Sequence, residues 1–163
     1  MSYKRRAVRE KVLQGLYAYE LTNDPIEKII SEVVTLKSQK DAQAFAEKLI
    51  HVVVDHQEEI DSTIKRKVAN WEFNRIAVID RILLRIGICE FLYFEDIPPK
   101  VSINEVIEIA KRFSTEKSGQ FINGVLDSIL TDLRADGRLN KTGRGLVDTN
   151  IRAKKKTSPV NED

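Results

Sequence analysis

Apolar residues recur along this chain at spacings of three and four, which is the pattern of amphipathic helices, and almost nowhere in strict alternation. Proline and glycine, the residues that most often interrupt helices, number only four and seven. The pattern therefore predicts an all-α protein of six or seven helices without a sheet.

Three helices are predicted in the first half of the chain. The first covers about residues 2–23 and ends before Pro25, because the residue that precedes a proline disfavours helical geometry. The second covers about residues 26–36. The third begins near Asp41, which has the side chain of a helix cap, and breaks near His56.

The second half is dominated by one strongly apolar segment. After a lapse around residues 70–74, residues 76–94 are apolar on nearly every side, which predicts a central buried helix. Ser102 and Glu105 have the spacing of a capping box and predict where the next helix starts. A last helix is expected over about residues 118–133.

The predicted helices fall into two groups of about three that meet near residue 70. We expect two small three-helix subdomains, residues 1–70 and 71–134, packed into one compact helical body around the central helix. No apolar period follows Arg134, so residues 135–163 are expected to form a flexible basic tail.

Composition and charge narrow the class of protein. An apolar content of 42% and a charged content of 32% suit a globular domain. No apolar run resembles a signal peptide or a membrane span, so we expect a cytoplasmic protein. The net charge of +2 is unevenly distributed: residues 1–11 carry +4 and residues 134–156 carry +6, which leaves −8 for the rest. Basic ends on an acidic body indicate contact with a polyanion.

The sequence offers no convincing catalytic or metal site. His51 and His56 are five residues apart, which turns them about 140° from each other on a helix, a poor geometry for a shared metal. Cys89 lies in an apolar run and is expected to be a buried thiol. Glu105 and Glu108 have no setting that would favour general acid–base catalysis. We therefore predict a protein without enzymatic activity, metal or cofactor.

Positive charge is concentrated at the start of the first helix. Arg5, Arg6 and Arg9 fall within an arc of about 100° with Lys4 beside them. The planar guanidinium group suits phosphate, because it donates two parallel hydrogen bonds. A nucleic acid, an acidic protein surface, or a solvated face without a partner are the three interpretations that the residues themselves leave open.

Longer motifs carry a resemblance to a known family. Residues 98–105, 110–113 and 118–127 resemble the C-terminal signature of the NusB family. Residues 80–86 resemble its central helix, and Arg5-Arg6-Ala7 with Leu16-Tyr17 resembles its arginine-rich first helix. The resemblance covers about residues 2–133.

That resemblance implies a fold of two three-helix subdomains and no catalytic activity. It also implies a transcription antitermination factor that pairs with NusE, a ribosomal protein of the small subunit, and binds the boxA element of single-stranded RNA. Other Nus factors and RNA polymerase would be indirect partners. Transcription of ribosomal RNA operons would be the main process supported.

The resemblance also assigns site residues by position. Tyr17 and Asp80 match positions at the interface with NusE. Phe121 would stack an unpaired base, although its spacing with Val125 equally permits a core role. The residues that the resemblance places on RNA are Lys4, Arg5, Arg6, Arg9, Lys117, Gln120 and Phe121.

Two features depart from the family pattern. Lys117 stands where the family often has a second acidic residue, which would shift this position from the protein partner toward RNA. The chain beyond Arg134 is longer than the family's short extension. The competing interpretation is a helical interaction scaffold that binds no RNA and uses its basic ends to bind an acidic protein.

Overall fold

Eight α-helices and one short 3-10 helix form the regular secondary structure of residues 4–36 and 39–147, which are the residues that this computed structural model describes. The prediction of an all-α fold is thereby confirmed. The helices are α1 (Arg5–Thr22), α2 (Ile26–Val33), α3 (Lys40–Asp55), α4 (Gln57–Lys65), α5 (Asn70–Arg75), α6 (Val78–Tyr93), α7 (Pro99–Phe113) and α8 (Glu116–Ala135), and the 3-10 helix covers Gly143–Leu146.

Several helix ends lie where the sequence indicates. Asn23 ends α1 in the left-handed conformation, with φ of 55°, and its N–H donates to the carbonyl of Tyr19 at 3.0 Å. Asparagine tolerates this conformation better than most residues. The predicted break near His56 is confirmed, since α3 ends at Asp55 and α4 begins at Gln57.

The predicted capping box at the start of α7 is wrong. The helix begins at Pro99, because a proline in the first turn needs no partner for a backbone N–H. Ser102 therefore lies inside the helix, where its hydroxyl donates to the buried carboxylate of Glu90 at 2.8 Å. Glu105 binds Arg6 instead of the helix start.

Two smaller expectations also need correction. Asp41 does not cap α3, which begins one residue earlier, at Lys40; Asp41 lies in the first turn, where a negative charge is favourable to the helix dipole. The lapse around residues 70–74 is the six-residue helix α5 and not a loop.

The central helix α6 is buried as predicted. Every residue from Ile82 to Phe91 is buried, and α6 contacts α1, α3, α4, α7 and α8. One group of helices in contact consists of α1, α2 and α3, and another consists of α6, α7 and α8. Because α6 also contacts α1 and α3, the buried side chains of both groups form one apolar core. Cys89 is fully buried within α6, and burial raises the pKa of its thiol.

Ion pairs fix α6 against the first half of the chain. Arg85 binds Asp61 of α4 at 2.8 Å and Glu20 of α1 at 3.0 Å. Arg81 binds the other oxygen of Glu20 at 2.7 Å. These contacts set the position of the second half of α1 relative to the start of α6.

The segment after α8 differs from the predicted flexible tail. Residues 136–147 turn back and pack against the end of α6; we call them the C-terminal strap. Residues 148–163, the rest of the predicted tail, lie outside the described residues. Among the described helices, none has the length and apolar character needed to cross a membrane.

Candidate nucleic-acid interface

The basic residues at the start of α1 do not share one environment. Lys4, Arg5 and Arg6 are exposed, whereas Arg9 is only 1% exposed. Arg9 donates two hydrogen bonds to Glu90, at 2.9 and 2.7 Å, and Glu90 is fully buried. The predicted role of Arg9 was phosphate contact, but in this structure its guanidinium group neutralises a carboxylate in the core and is almost inaccessible to solvent.

The exposed members of this cluster line a groove between the start of α1 and the start of α7. We call it the basic groove; its volume is about 920 Å³. Arg9 also lines it, at the floor, although its side chain is almost fully buried. Its walls include Lys4, Arg5, Arg6, Val101, Glu105 and Arg144.

Carboxylates hold two of the groove's arginines in place. Arg6 donates to both oxygens of Glu105, at 2.7 and 3.0 Å, and this hydrogen bonding lowers the pKa of Glu105. Arg5 lies 3.6 Å from Asp96 and stacks its guanidinium carbon 4.7 Å from the centre of the Phe45 ring. A phosphate would therefore compete with a carboxylate for either arginine.

A second groove lies at the start of α8. We call it the aromatic groove; it has a volume of about 410 Å³ and is lined by Arg75, Ile76, Asp80, Lys117, Ser118 and Phe121 among others. Phe121 is 38% exposed, so the structure places this ring at the surface, while Ile122 and Val125 enter the core. Lys117 is exposed beside it.

Asp80 lies at the inner side of the aromatic groove and is only 6% exposed. One carboxylate oxygen accepts a hydrogen bond from Ser118 at 2.7 Å. Ser118 is itself positioned by Thr115, which caps α8 by accepting from the Ser118 N–H at 3.0 Å. The other oxygen, Oδ1, is buried without a hydrogen-bond partner among the described residues. A buried oxygen of this kind is costly unless a donor reaches it.

The two remaining site residues from the sequence lie at the surface. Gln120 is exposed on α8 beside Phe121. Tyr17 is 39% exposed on α1, and Leu21, one turn later, is 62% exposed. Because Glu20 of α1 binds Arg81 of α6, the exposed patch of α1 and the aromatic groove belong to neighbouring helices.

Helix α7 connects the two grooves. The basic groove meets α7 at Val101 and Glu105, and the aromatic groove begins at Thr115, just after α7 ends. At 1.5 Å per residue, the grooves are roughly 20 Å apart along the helix. Arg112 stands between them, with a side chain that is 69% exposed and paired with Glu10 of α1 at 3.0 Å.

Sequence reasoning did not place Arg112 or Arg144 in the site. Arg112 lies in a helix whose polar face gives no sign of its partner. Arg144 belongs to the basic segment after residue 134, where no apolar period predicts how the chain folds. Only contacts between distant segments show that Arg112 pairs with Glu10 of α1 and that Arg144 lines the basic groove.

The candidate metal ligands of the sequence are not brought together within the described residues. No group of three or more His, Cys, Asp or Glu side chains within residues 4–36 and 39–147 is placed to hold a metal ion. His51 Nε2 lies 3.3 Å from a carboxylate oxygen of Glu27, whereas the His56 ring stacks on the Tyr93 ring with 4.3 Å between their centres. The two histidines therefore contact different residues.

Comparisons with known proteins agree on one family. The model of the NusB family matches residues 6–131. A transcription antitermination protein NusB from Salinibacter ruber is 50% identical over 145 residues, which cover 88% of this chain and 91% of that protein. Its counterpart from Chloroherpeton thalassium is 44% identical over 161 residues, which cover 98% of this chain and 76% of that protein.

Solved structures show the same similarity in three dimensions. The NusB of T. maritima has a TM-score of 0.76 and 38% identity, and the match covers 81% of this chain and 94% of that one. A crystal structure of the antitermination factors NusB and NusE in complex with dsRNA gives a TM-score of 0.72 at 30% identity, covering 78% of this chain and 96% of that one.

Proposed function

Because this chain belongs to the NusB family, we propose that it binds boxA RNA together with NusE and thereby supports processive transcription, notably of ribosomal RNA operons. The family consists of transcription antitermination factors and not of enzymes, so the chain has no catalytic role. Its place of action is the cytoplasm, where nascent RNA and RNA polymerase meet. Other Nus factors and RNA polymerase are reached through the complex.

The observation that carries this proposal is the presence of a basic groove at the start of α7 and of an exposed aromatic side chain on α8, beside the groove that begins just after α7 ends. Lys4, Arg5 and Arg6 provide positive charge for phosphates at one end. Phe121 provides a stacking surface at the other end, with Lys117 and Gln120 beside it. Single-stranded RNA is recognised by this combination, since phosphates attract cations and unpaired bases stack on aromatic rings.

Arg9 has a different task in this proposal. Its ion pair with Glu90 anchors the start of α1 to α6, which holds Arg5 and Arg6 at the groove. It is a positioning residue and not a phosphate contact.

The interface with NusE is proposed at Tyr17 and Asp80. Tyr17 offers an exposed aromatic surface. The Asp80 oxygen that has no partner among the described residues can accept a hydrogen bond from a donor of the partner. The similarity to a NusB that was solved with NusE and dsRNA supports a protein partner as well as RNA.

A fluorescence-anisotropy titration tests the proposal directly. The full chain is titrated against a boxA-like RNA and a scrambled RNA of equal length, each with and without purified NusE. We expect tighter binding to the boxA-like RNA and a further gain when NusE is present. Equal weak binding to both RNAs, unchanged by NusE, would instead favour a scaffold that binds an acidic protein.

The contribution of the basic groove is measured in the same assay. Lys4→Gln combined with Arg6→Gln should lower the affinity for RNA. It should also reduce the slope of log K against log salt by about 0.7 for each phosphate that is no longer bound. Arg66→Gln, which removes one positive charge from an exposed position at the end of α4 outside the groove, is the control for each of the two substitutions made singly.

A further inference from the structure

The C-terminal strap begins with a specific reversal of the chain. Gly137 has a φ of 67°, in the left-handed region that glycine adopts without strain. Its N–H donates to the carbonyl of Arg134 at 3.3 Å, and the N–H of Arg138 donates to the carbonyl of Leu133 at 2.9 Å. This pair of hydrogen bonds is the Schellman motif, which ends α8 and sends the strap back along the body.

Lys141 attaches the strap to the end of α6. Its amine donates to the carbonyl oxygens of Glu90 at 2.8 Å and Phe94 at 2.6 Å. The last turn of α6 contains no basic residue of its own, so Lys141 supplies the cation that the negative end of the helix dipole favours. Next to it, the N–H of Thr142 donates to the carbonyl of Glu95 at 3.0 Å.

Gly145 brings the strap into close contact with the turn after α6. A Cβ atom at this position would lie 2.0 Å from the carbonyl oxygen of Glu95, a distance at which backbone must move. Gly145 is buried, and the neighbouring residue, Arg144, is exposed. The close contact at Gly145 therefore fixes the position from which the Arg144 side chain projects into solvent.

The Arg144 side chain lies in the wall of the basic groove. It lines this groove together with Lys4, Arg5 and Arg6. Arg5 and Arg6 are paired with carboxylates, but Arg144 forms no salt bridge with any residue in the described part of the chain. A phosphate can reach it without displacing such a partner.

We propose that the C-terminal strap is part of the RNA-binding surface, with Arg144 contacting the phosphodiester backbone in the basic groove and Gly145 and Lys141 acting as positioning residues. The inference rests on the proposed function of the groove and adds a binding element to it. The strap lies beyond residues 6–131, the part of the chain that the family model matches. The added element therefore lies outside the part of the chain that the family model covers.

Arg144→Gln tests the contact itself in the full chain. The variant should reduce the steepness of log K against log salt by about 0.7. Its loss of affinity relative to the unmodified chain should therefore be about fivefold larger at 0.1 M salt than at 1 M. Arg66→Gln removes the same charge from an exposed position outside the groove and should change neither quantity in a comparable way.

Gly145→Val tests the positioning role without changing any charge. A side chain at this position forces the strap away from Glu95, so Arg144 should no longer face the groove. We expect the same decrease in affinity and slope as for Arg144→Gln, and no further decrease when the two changes are combined, because they act on one contact. Gly124→Ala is the control, since a Cβ there meets nothing within 4 Å.

The outcomes separate this inference from the proposed function. If the unmodified chain fails to prefer boxA-like RNA, the proposed function falls. If it binds, and Lys4→Gln with Arg6→Gln weakens binding while Arg144→Gln equals the Arg66→Gln control, the groove stands and the strap inference is overturned. Should Gly145→Val not fold, as judged by circular dichroism, Arg144→Gln alone decides.

Discussion

Arg9 and Glu90 form a two-point ion pair in the core, although 81 residues separate them in the chain. Their side chains are 1% and 0% exposed, and the hydroxyl of Ser102 completes the hydrogen bonding of the carboxylate. The pair joins α1, α6 and α7 at one point, at the floor of the basic groove. Shape and charge at the groove therefore depend on a contact that solvent does not reach.

Arg9→Met should destabilise the fold strongly, because it leaves the Glu90 carboxylate buried without its counter-charge. Removal of one partner from a buried pair typically costs about 3–5 kcal/mol. Urea unfolding followed by circular dichroism measures this destabilisation. Arg9→Met combined with Glu90→Leu should recover a large part of it, since both charges are then absent.

The same double variant tests the assignment of Arg9 as a positioning residue. Under conditions where it is folded, its RNA affinity and salt slope should stay close to those of the unmodified chain. A folded double variant with a clearly smaller salt slope would mean that Arg9 leaves the core to bind phosphate.

Glu105→Gln should strengthen RNA binding. The ion pair with Glu105 engages Arg6, whose side chain is 49% exposed, and an exposed pair of this kind is worth about 0.2–1 kcal/mol. Its release should raise the affinity by up to about fivefold. Anisotropy measures the gain, and Glu108→Gln, one turn further along α7, provides the control with the same change in charge. Equal affinities for the two variants would show that Arg6 does not meet the RNA.

The Arg6 and Glu105 pair should also contribute to stability in a pH-dependent way. Hydrogen bonding from Arg6 lowers the pKa of Glu105 in the folded state. The contribution is therefore fully present above the pKa of the unfolded chain and is lost as the pH falls through the folded pKa. Arg6→Gln should reduce the free energy of unfolding more at pH 6 than at pH 3, because Glu105 is increasingly protonated as the pH falls. A difference that stays constant between these pH values would contradict the assignment.

Phe121→Ala should weaken RNA binding without a large decrease in stability, because the ring is 38% exposed. Stacking of one base on an aromatic side chain contributes about 1–3 kcal/mol in single-strand binding. Trp71→Ala serves as the comparison, since Trp71 is 60% exposed and does not line the aromatic groove. If both variants retain full affinity, Phe121 does not stack on the RNA.

Asp80→Asn should weaken the association with NusE and leave the RNA affinity of the isolated chain unchanged. The substitution keeps the shape of a side chain that is only 6% exposed, whereas a lysine would bury an amine there. A hydrogen bond to a charged group contributes about 1.5–3 kcal/mol, so association should weaken roughly 10-fold to 150-fold. Titration calorimetry with NusE measures this, and Asp127→Asn, on the exposed face of α8, is the control. Unchanged association would remove Asp80 from the interface.

The burial of Arg9 was visible in principle in the local pattern. Arg9, Val12, Leu13 and Leu16 have spacings of three, four and seven, so the arginine lies on the apolar stripe of α1 and not beside it. Such a position indicates a buried charge, but it does not identify the partner. Nothing in the residues around Arg9 points to Glu90.

What the sequence determined by itself is local. Helical periodicity fixed the all-α class, the buried central helix and the break near His56, because each depends on neighbours within one or two turns. Long motifs identified the family, and the exposed positions of Lys4 and Lys117 followed from their places outside the apolar stripes.

What only the tertiary structure decided is which distant groups meet. Ser102 and Glu105 have the spacing of a cap, yet they bind Glu90 and Arg6, because packing of α7 against α6 and α1 offers them stronger partners. Residues 136–147 lack any apolar period, yet Lys141 and Gly145 hold them on the end of α6. Charge pairing and close backbone contact join segments that are far apart in the chain. The spacing of apolar residues along the sequence therefore does not reveal them.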